Sequence, residues 1–191
     1  MTPATGFDII AIGGSAGSLP VMGKLIRAFP PEMKTPVILV LHRLKNVHSE
    51  LNKLMSADRQ IIEPEDKEQV KPGCIYLAPQ NYHLLVEPDG TFSLDYSELV
   101  HYSRPAIDET FFSVAAAYGR RALGILLSGA NSDGAAGLLR IVKNGGTGIA
   151  QDPEEAEFEI MPLAAIELSH KIDVMRTDDI ATFIRSKYTN K

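Results

Sequence analysis

The stretch that most constrains the fold lies near the start of the chain, at Phe7-Asp-Ile-Ile-Ala-Ile-Gly-Gly-Ser-Ala-Gly-Ser18. Its apolar run ends in glycines around a serine, and a helix-like segment follows at residues 19–29. A short apolar run bounded by glycine is typical of a buried strand. Gly13, Ser15 and Gly17 fit the G-x-S-x-G nucleophile elbow, where a sharp strand-to-helix turn exposes a serine hydroxyl at the carboxyl edge of a sheet. Ser15 is therefore a candidate nucleophile.

Three other interpretations fit the same glycines. The stretch is compatible with a simple tight turn, with a phosphate cradle at a helix N-terminus and with a damaged dinucleotide fingerprint. The fingerprint needs glycine where Ser15 stands and an acidic residue at the end of the second strand. Here that strand ends in Leu41-His42-Arg43. A nicotinamide cofactor is thereby disfavoured, while the turn and the phosphate cradle stay open.

Size and composition exclude several classes of protein. A chain of 191 residues can bury one large core, and a net charge of −5 offers no basic surface for nucleic acid. The single Cys74 excludes an internal disulfide and fits a reducing compartment. No apolar run is long enough to span a bilayer, and no signal pattern stands at the N-terminus. We expect one cytoplasmic domain over residues 1–191 with neither a nucleic-acid partner nor direct membrane insertion.

Strand-like and helix-like segments alternate along the chain. Unbroken apolar runs such as residues 37–41 suit parallel strands covered on both faces, and Pro88-Asp89-Gly90 indicates a hairpin turn. The alternation predicts an α/β fold, with an open, mostly parallel, doubly wound sheet, helices on both faces and one antiparallel hairpin. After the first strand, strands are predicted at 37–41, 61–71 (a short edge strand and a solvated loop), 74–78, 83–87, 91–95, 122–127, 147–151 and 172–175. Helices are predicted at 19–29, 47–57, 108–120, 134–143, 161–169 and 177–187.

Reactive side chains follow three of the predicted strands. Ser15 follows the first strand, His42 the second, and Asp133 lies in the loop after the strand at 122–127. In open α/β sheets the site lies beyond the carboxyl ends of the strands. A serine becomes a good nucleophile only when a base takes its proton, and an imidazole base needs a partner on its other nitrogen. The three residues are therefore a candidate nucleophile, base and orienting acid.

Each of these residues also has a structural interpretation. Asp133 precedes Gly134 and an alanine-rich helix, so taken alone it is favoured as an N-cap, and both roles can coexist. His42 alone is more often an ordinary strand-end residue. The order Ser, His, Asp also differs from that of the α/β-hydrolases, so spacing alone does not establish a triad. The other histidines lie in polar loops, after a helix or at the start of the hairpin, and are weaker candidates: His48, His101, His170 and His83.

Several further blocks stand along the chain. They are Ile12-Gly-Gly-Ser-Ala-Gly17, Val40-Leu-His42, Ile75-Tyr-Leu-Ala-Pro79 with His83-Leu84, Arg104-Pro-Ala-Ile-Asp108, Leu127-Ser-Gly-Ala-Asn-Ser-Asp-Gly-Ala-Ala-Gly137, Gly145-Gly146 through Ala150-Gln-Asp152, and Met161-Pro-Leu-Ala-Ala165. In these blocks the chain resembles the catalytic domain of the bacterial chemotaxis protein-glutamate methylesterase, CheB, over nearly its whole length. The blocks follow the family's order, so the resemblance is far more specific than G-x-S-x-G alone.

The resemblance implies an esterase that removes methyl groups from glutamate side chains of chemoreceptors, releases methanol and can also deamidate receptor glutamines. It matches Ser15 to the nucleophile, His42 to the base and Asp133 to the orienting acid, and it implies no cofactor and no metal. For the oxyanion we expect main-chain N–H groups near Ala16 and Ala130. The implied partner is the cytoplasmic part of methyl-accepting chemoreceptors.

The chain departs from the family pattern at several positions. Ala16 stands where threonine often follows the nucleophile, and Ser18 where a second glycine is common. Ala130 stands in place of a methionine, although alanine keeps the N–H that a main-chain donor needs. Ser103 replaces a common histidine before Arg104. The late loop is unusually acidic, with glutamates at 154, 155, 157 and 159, and we expect it to weaken or redirect docking on acidic receptor regions.

Typical family members also carry an N-terminal receiver domain, whereas here the first strand begins within a few residues of Met1. We expect either a free-standing esterase or a fragment of a longer protein, with a constitutively accessible site and any regulatory receiver domain acting in trans. Arg104 and Asp108 match a block that borders the site, and we expect a structural role for both.

Two alternatives for the function stay open. One is a catalytically weak or inactive signalling or binding module, motivated by the substitutions around the nucleophile, and the other is an esterase or amidase for a different substrate.

Overall fold

A computed structural model describes residues 6–42 and 60–188 of the chain. The helix predicted at 47–57 lies outside the described residues. The strands are β1 (Ile9–Gly14), β2 (Val37–Leu41), β3 (Ile61–Ile62), β4 (Ile75–Leu77), β5 (His83–Val86), β6 (Phe92–Asp95), β7 (Ala122–Leu126), β8 (Thr147–Gln151) and β9 (Asp173–Met175). The α-helices are α1 (Leu19–Ala28), α2 (Ile107–Tyr118), α3 (Ala135–Lys143), α4 (Ile160–Leu168) and α5 (Thr177–Tyr188), and a 3₁₀ helix, Gly119–Arg121, follows α2.

Seven of these strands form one parallel sheet in the order β3-β4-β2-β1-β7-β8-β9. Strands β5 and β6 form a separate antiparallel hairpin. The predicted fold class is therefore confirmed. Strand β2 pairs with one side of β1, and β7 pairs with the other. The strand order thus reverses at β1, and ligand sites of open α/β sheets lie beyond the carboxyl ends at such a reversal.

Two hydrophobic cores cover the two faces of the sheet, which explains why the central strands are apolar without interruption. Alternate residues of β1 point to opposite faces, as the strand period of two requires. Ile12 belongs to the core that contains Leu25 of α1 and Ile184 of α5. Ala11 belongs to the core that joins the hairpin to the other three helices through Phe92, Phe111, Leu138 and Met161. No helix in the described ranges is both long and apolar enough to cross a membrane.

The segment predicted at 61–71 is an edge strand followed by a mostly exposed loop, as expected, and this loop also forms hydrogen bonds with the hairpin. Only Ile61 and Ile62 form the edge strand β3. The chain then returns along the hairpin, where the N–H of Phe92 donates to Glu68 O at 2.8 Å and the N–H of Val70 donates to Gly90 O at 2.9 Å. These main-chain bonds satisfy polar groups that an exposed loop would leave to water.

Helices α2 and α3 approach each other closely because α3 has a glycine at the contact. A Cβ atom on Gly137 would lie 2.5 Å from Cβ of Phe111 and 3.1 Å from both Cα and O of Asp108. No real Cβ tolerates the first of these distances, and the two Asp108 atoms belong to the main chain and cannot rotate away. The glycine therefore sets the separation between the two helices.

We expect Gly137→Ala to lower the free energy of unfolding by about 1 to 3 kcal/mol, as overpacking does. This loss would occur although alanine is better than glycine in a helix interior by about 1 kcal/mol. Urea denaturation measures the change. Ala136→Gly, at an exposed position of the same helix, is the matched control and should cost only the intrinsic helix propensity. An unchanged or increased stability of Gly137→Ala would contradict the close approach.

Candidate active site

Strand register places two of the three candidate residues side by side. Gly14 of β1 aligns with Leu41 of β2, so the next residues, Ser15 and His42, both stand one position beyond the sheet. The N–H of His42 donates to Gly14 O at 3.3 Å, and the N–H of Ser15 donates to Ser128 O at 2.9 Å, on the chain that continues from β7. The serine is therefore held between the ends of both strands that flank β1.

The predicted strand–turn–helix around Ser15 is present. Gly17 has φ +75°, and a Cβ on Gly14 would lie 2.5 Å from Oγ of Ser18. Ser18 is fully buried and donates twice to Ser15 O, from Oγ at 2.6 Å and from its N–H at 3.1 Å. Helix α1 begins one residue later. Ser18, which stands where the family often has glycine, thus stabilises the turn that carries the candidate nucleophile.

His42 and Asp133 are joined by a short hydrogen bond, with 2.7 Å between Nε2 and Oδ2. The same oxygen accepts the N–H of Ile107 at 2.7 Å, and Oδ1 accepts the N–H of Asp108 at 2.9 Å. Asp133 is fully buried, and the side chain of His42 is only 10 % exposed. A buried carboxylate is stable when donors of this number and geometry surround it.

Burial alone would raise the pKa of Asp133, but the hydrogen bonds from His42 and from the N–H groups of Asp108 and Ile107 outweigh it and hold the pKa below its usual value. Asp133 is therefore ionised at neutral pH. Because its carboxylate engages Nε2 of His42, Nδ1 is the ring nitrogen left to act as a base. Among the described residues no hydrogen bond joins Nδ1 to the Ser15 hydroxyl, and such contacts are often long in the absence of substrate.

The N-cap interpretation of Asp133 is wrong for its own helix. The N-cap of α3 is Gly134, with φ +90° and no side-chain bond to the helix. Asp133 instead accepts the first N–H groups of the neighbouring helix α2. Asp108 does the reverse, because its Oδ1 accepts the N–H of Gly137 in the first turn of α3 at 2.7 Å. The two carboxylates thus cap each other's helix, and each lies where the helix dipole favours a negative charge.

The main-chain donors predicted for the oxyanion belong to two different loops, since Ala16 follows Ser15 and Ala130 lies in the loop after β7. In the part of the chain that the structure describes, neither the N–H of Ala16 nor that of Ala130 meets an acceptor. The N–H groups next to Ala130 on its N-terminal side are engaged, since Gly129 donates to Phe158 O at 3.1 Å and Ser128 donates to Gln151 Oε1 at 3.0 Å. The two predicted donors are therefore available to a bound anion.

Sequence reasoning missed the residues that support this arrangement. Oγ of the buried Ser128 donates to Ala16 O at 2.8 Å and accepts the N–H of Phe158 at 2.9 Å, so it joins the elbow to the late loop. The buried side chain of Gln151 fixes Ser128 from the end of the neighbouring strand β8. In the sequence, Ser128 and Gln151 were marked only by their position at strand ends within the blocks that resemble the family.

His83, a weaker candidate at the sequence level, is a buried structural residue. Its Nδ1 accepts the N–H of Ala106 at 3.1 Å, so Nε2 carries the proton and donates to Glu98 O at 2.9 Å. These two hydrogen bonds connect the hairpin to the segment just before α2. The first N–H groups of α2 in turn bind Asp133. Arg104 lies 3.7 Å above the ring of Tyr96, a contact that agrees with the structural role expected for it.

One of the late-loop glutamates is also structural. Oε2 of Glu155 accepts both the N–H of Thr177 at 2.6 Å and its hydroxyl at 2.7 Å, at the start of α5. Glu157 lies against the elbow, since a Cβ on Gly17 would come within 2.6 Å of its Cβ. Glu157 thus packs against the turn that carries the candidate nucleophile.

Only one cluster in the described ranges has the composition of a metal site. Potential ligand atoms of His101, Asp108 and Asp133 lie within 4.8 Å of one another. Both oxygens of Asp133 and Oδ1 of Asp108 already accept hydrogen bonds, and His101 Nε2 lies 3.2 Å from Oδ2 of Asp108. These bonds account for the cluster without a metal ion.

Comparison with known proteins connects this geometry to a family. Residues 10–184 match the family described as CheB methylesterase. The chain belongs to that family. A protein of Leptospira interrogans is 39 % identical over 187 residues, which cover 96 % of this chain and 97 % of that relative. The protein-glutamate methylesterase/protein-glutamine glutaminase of Maricaulis maris is 33 % identical over 178 residues, covering 91 % of this chain and 44 % of the relative.

A solved structure agrees with the sequence comparisons. The crystal structure of the Thermotoga maritima CheB methylesterase catalytic domain superposes with a TM-score of 0.86 at 31 % identity, and the match covers 95 % of this chain and 98 % of that domain. The resemblance seen in the sequence is thereby confirmed, and so is the enzyme class. The protein is a hydrolase that acts on carboxylic esters.

The lowered pKa of Asp133 predicts how the stability of the fold depends on pH. Its contribution is complete above the unfolded pKa of about 3.9 and is lost as the pH falls through the lower folded pKa. We expect Asp133→Asn to lower the free energy of unfolding at about pH 7 by about 2 to 4 kcal/mol, because the substitution removes a carboxylate charge that its hydrogen-bond donors stabilise. The deficit should shrink as the pH falls below about 4.

Urea denaturation at several pH values measures this deficit. Asp173→Asn, at an exposed position of β9, is the control and should leave the stability unchanged at each pH. A deficit for Asp133→Asn that stays constant down to acid pH would contradict the assignment of the stabilising charge to Asp133.

Proposed function

We propose that the protein hydrolyses glutamate methyl esters of chemoreceptors through Ser15, His42 and Asp133, and releases methanol. The observation that carries this proposal is the 2.7 Å contact between His42 and the fully buried Asp133, next to a serine on a strand–helix elbow. Membership of the CheB methylesterase family supports the choice of substrate. Since the name of the Maricaulis maris relative includes a glutaminase activity, we extend the proposal to deamidation of receptor glutamines.

In the first step Oγ of Ser15 attacks the ester carbonyl while Nδ1 of His42 takes the serine proton. The imidazolium that forms is stabilised by the carboxylate of Asp133, which stays ionised and fixes the orientation of the ring. The negative charge on the carbonyl oxygen is received by the N–H groups of Ala16 and Ala130. Collapse of the tetrahedral intermediate breaks the bond to the methoxy oxygen, which leaves as methanol with the proton from His42.

In the second step water replaces the serine. Nδ1 of His42 takes a proton from water, the hydroxide attacks the glutamyl ester of Ser15, and the return of the proton to Oγ releases a free glutamate side chain. The substrate segment belongs to the cytoplasmic part of the receptor, so we propose a cytoplasmic location, with any receiver domain acting in trans.

The substitutions at Ala16, Ser18 and Ala130 are compatible with turnover. The two alanines would act through main-chain N–H groups, which a change of side chain does not remove. Ser18 supports the elbow through two hydrogen bonds to Ser15 O. The contacts of this site therefore favour an active enzyme over an inactive binding module.

Ser15→Ala should reduce methanol release from methylated chemoreceptor fragments by at least about a thousandfold, because the variant lacks the hydroxyl proposed to form the acyl-enzyme. Its thermal unfolding should match that of the parent protein. Ser186→Ala, at an exposed position of α5, is the matched control and should keep full activity.

Three other outcomes would overturn the proposal in different ways. Full activity of Ser15→Ala would move the nucleophile elsewhere. Cleavage of a simple aryl ester but of no methylated receptor would make the protein an esterase for another substrate. Receptor binding without cleavage of any ester, retained in His42→Ala, would make it a binding module.

A further inference from the structure

A tight turn over residues 100–103 brings a histidine towards the catalytic residues from outside the parallel sheet. Val100 and Ser103 exchange two main-chain hydrogen bonds, with N–O distances of 3.1 and 2.9 Å. His101 and Tyr102 between them have φ +49° and +60°, the left-handed region that such residues rarely adopt. Turns of this kind usually hold asparagine or glycine. Tyr102 is 97 % exposed, so burial of its ring does not compensate for the strain.

The contact that this turn makes possible is the one between His101 and Asp108. Nε2 of His101 lies 3.2 Å from Oδ2 of Asp108, and the imidazole is partly exposed while the carboxylate is buried. Oδ1 of Asp108 accepts the N–H of Gly137. Burial raises the pKa of Asp108 and the charge of Asp133 raises it further, while the bonds from Gly137 and His101 act in the opposite direction.

The His101–Asp108 pair is a neighbour of the catalytic pair. Carboxylate oxygens of Asp108 and Asp133 and the His101 nitrogen lie within 4.8 Å of one another. Two like charges at such a separation disfavour each other's ionisation unless compensating groups surround them. The first N–H groups of α2 and α3 offset part of the repulsion between the two carboxylates. The side chain of His101 offsets more of it at Asp108.

We propose that His101 and Asp108 are positioning residues of the esterase, a second histidine–carboxylate pair that holds a second negative charge beside His42 and Asp133. This inference rests on the proposed function, because the charge matters when the proton of Ser15 moves to His42. At that moment an imidazolium forms, and an ionised Asp108 stabilises it in addition to Asp133. A protonated Asp108 gives no such help.

Other titratable groups lie on the elements around α2, including Glu109 beside Asp108 in the first turn of the helix. His42 stands behind Asp133, and the buried His83 contacts Ala106, just before the helix. The basic residues of α3 lie in its last turn, and those of the 3₁₀ helix follow the opposite end of α2. His101 is thus the titratable side chain that contacts the Asp108 carboxylate, at 3.2 Å.

Two asparagine variants test the pair. Asparagine at 101 favours the left-handed conformation of the turn, so His101→Asn removes the imidazole without endangering the fold. Asp108→Asn keeps an oxygen for the N–H of Gly137 and removes the charge. Tyr102→Gly relaxes the same turn without touching the imidazole, and His170→Asn makes the same exchange at an exposed histidine elsewhere. The last two are controls.

Methanol release is measured from about pH 5 to about pH 9. We expect Asp108→Asn to lower kcat about tenfold across the range, the order of effect of one unit charge at short range in a protein, with little change in KM. The activity of His101→Asn should equal that of the parent protein at alkaline pH. As the pH falls, its activity should decline at a higher pH than the parent's does and approach the activity of Asp108→Asn. Both controls should follow the parent profile.

A parent-like profile of His101→Asn at every pH would overturn the proposal, as would an equal loss at every pH or the same change in Tyr102→Gly.

The carboxyl ¹³C resonance of Asp108 separates this question from turnover, because it is read without substrate. His101→Asn should raise the pKa of Asp108 even if no receptor is cleaved. An unmoved titration would overturn the pair whatever the substrate proves to be.

Discussion

The site depends on two buried carboxylates that lie between the N-termini of two helices. Asp133 accepts the first N–H groups of α2, and Asp108 accepts an N–H in the first turn of α3. Each carboxylate is thereby supplied with fixed donors and with the positive end of a helix dipole. Without these donors burial would favour the neutral acid, and a neutral acid could not stabilise a charged His42.

This arrangement requires elements that are distant in sequence to meet closely. Gly137 allows α2 and α3 to approach until their ends can exchange hydrogen bonds, and a Cβ on Gly134 would collide with Leu126 and Ile107. His83 fixes the segment before α2 through Ala106. The hairpin outside the main sheet therefore contributes to the orientation of Asp133, although it supplies no residue to the candidate triad.

Local patterns predicted the sheet, its hairpin and most helix limits, because strands with both faces buried are apolar throughout and glycines mark their ends. Register then brought Ser15 and His42 together, as the strand-end rule predicted. The bonding of Asp133 was not predictable in this way. Its position before α3 indicated a cap on that helix, whereas its partners belong to α2, more than twenty residues earlier in the chain. Such a contact depends on packing, which periodicity does not report.

The same distinction explains which departures from the family pattern the site can tolerate. Functions exerted through main-chain N–H groups, as proposed for Ala16 and Ala130, survive a change of side chain as long as the turn that orients them is kept. Functions exerted through a side chain, such as that of the base proposed at His42, do not. Ser18 and Ser128 stabilise the turn at Ser15 by hydrogen bonds to carbonyl groups. The chain therefore departs from the family pattern at Ala16 and Ala130, where the proposed role belongs to the backbone, and Ser18 adds a hydroxyl group that holds the turn.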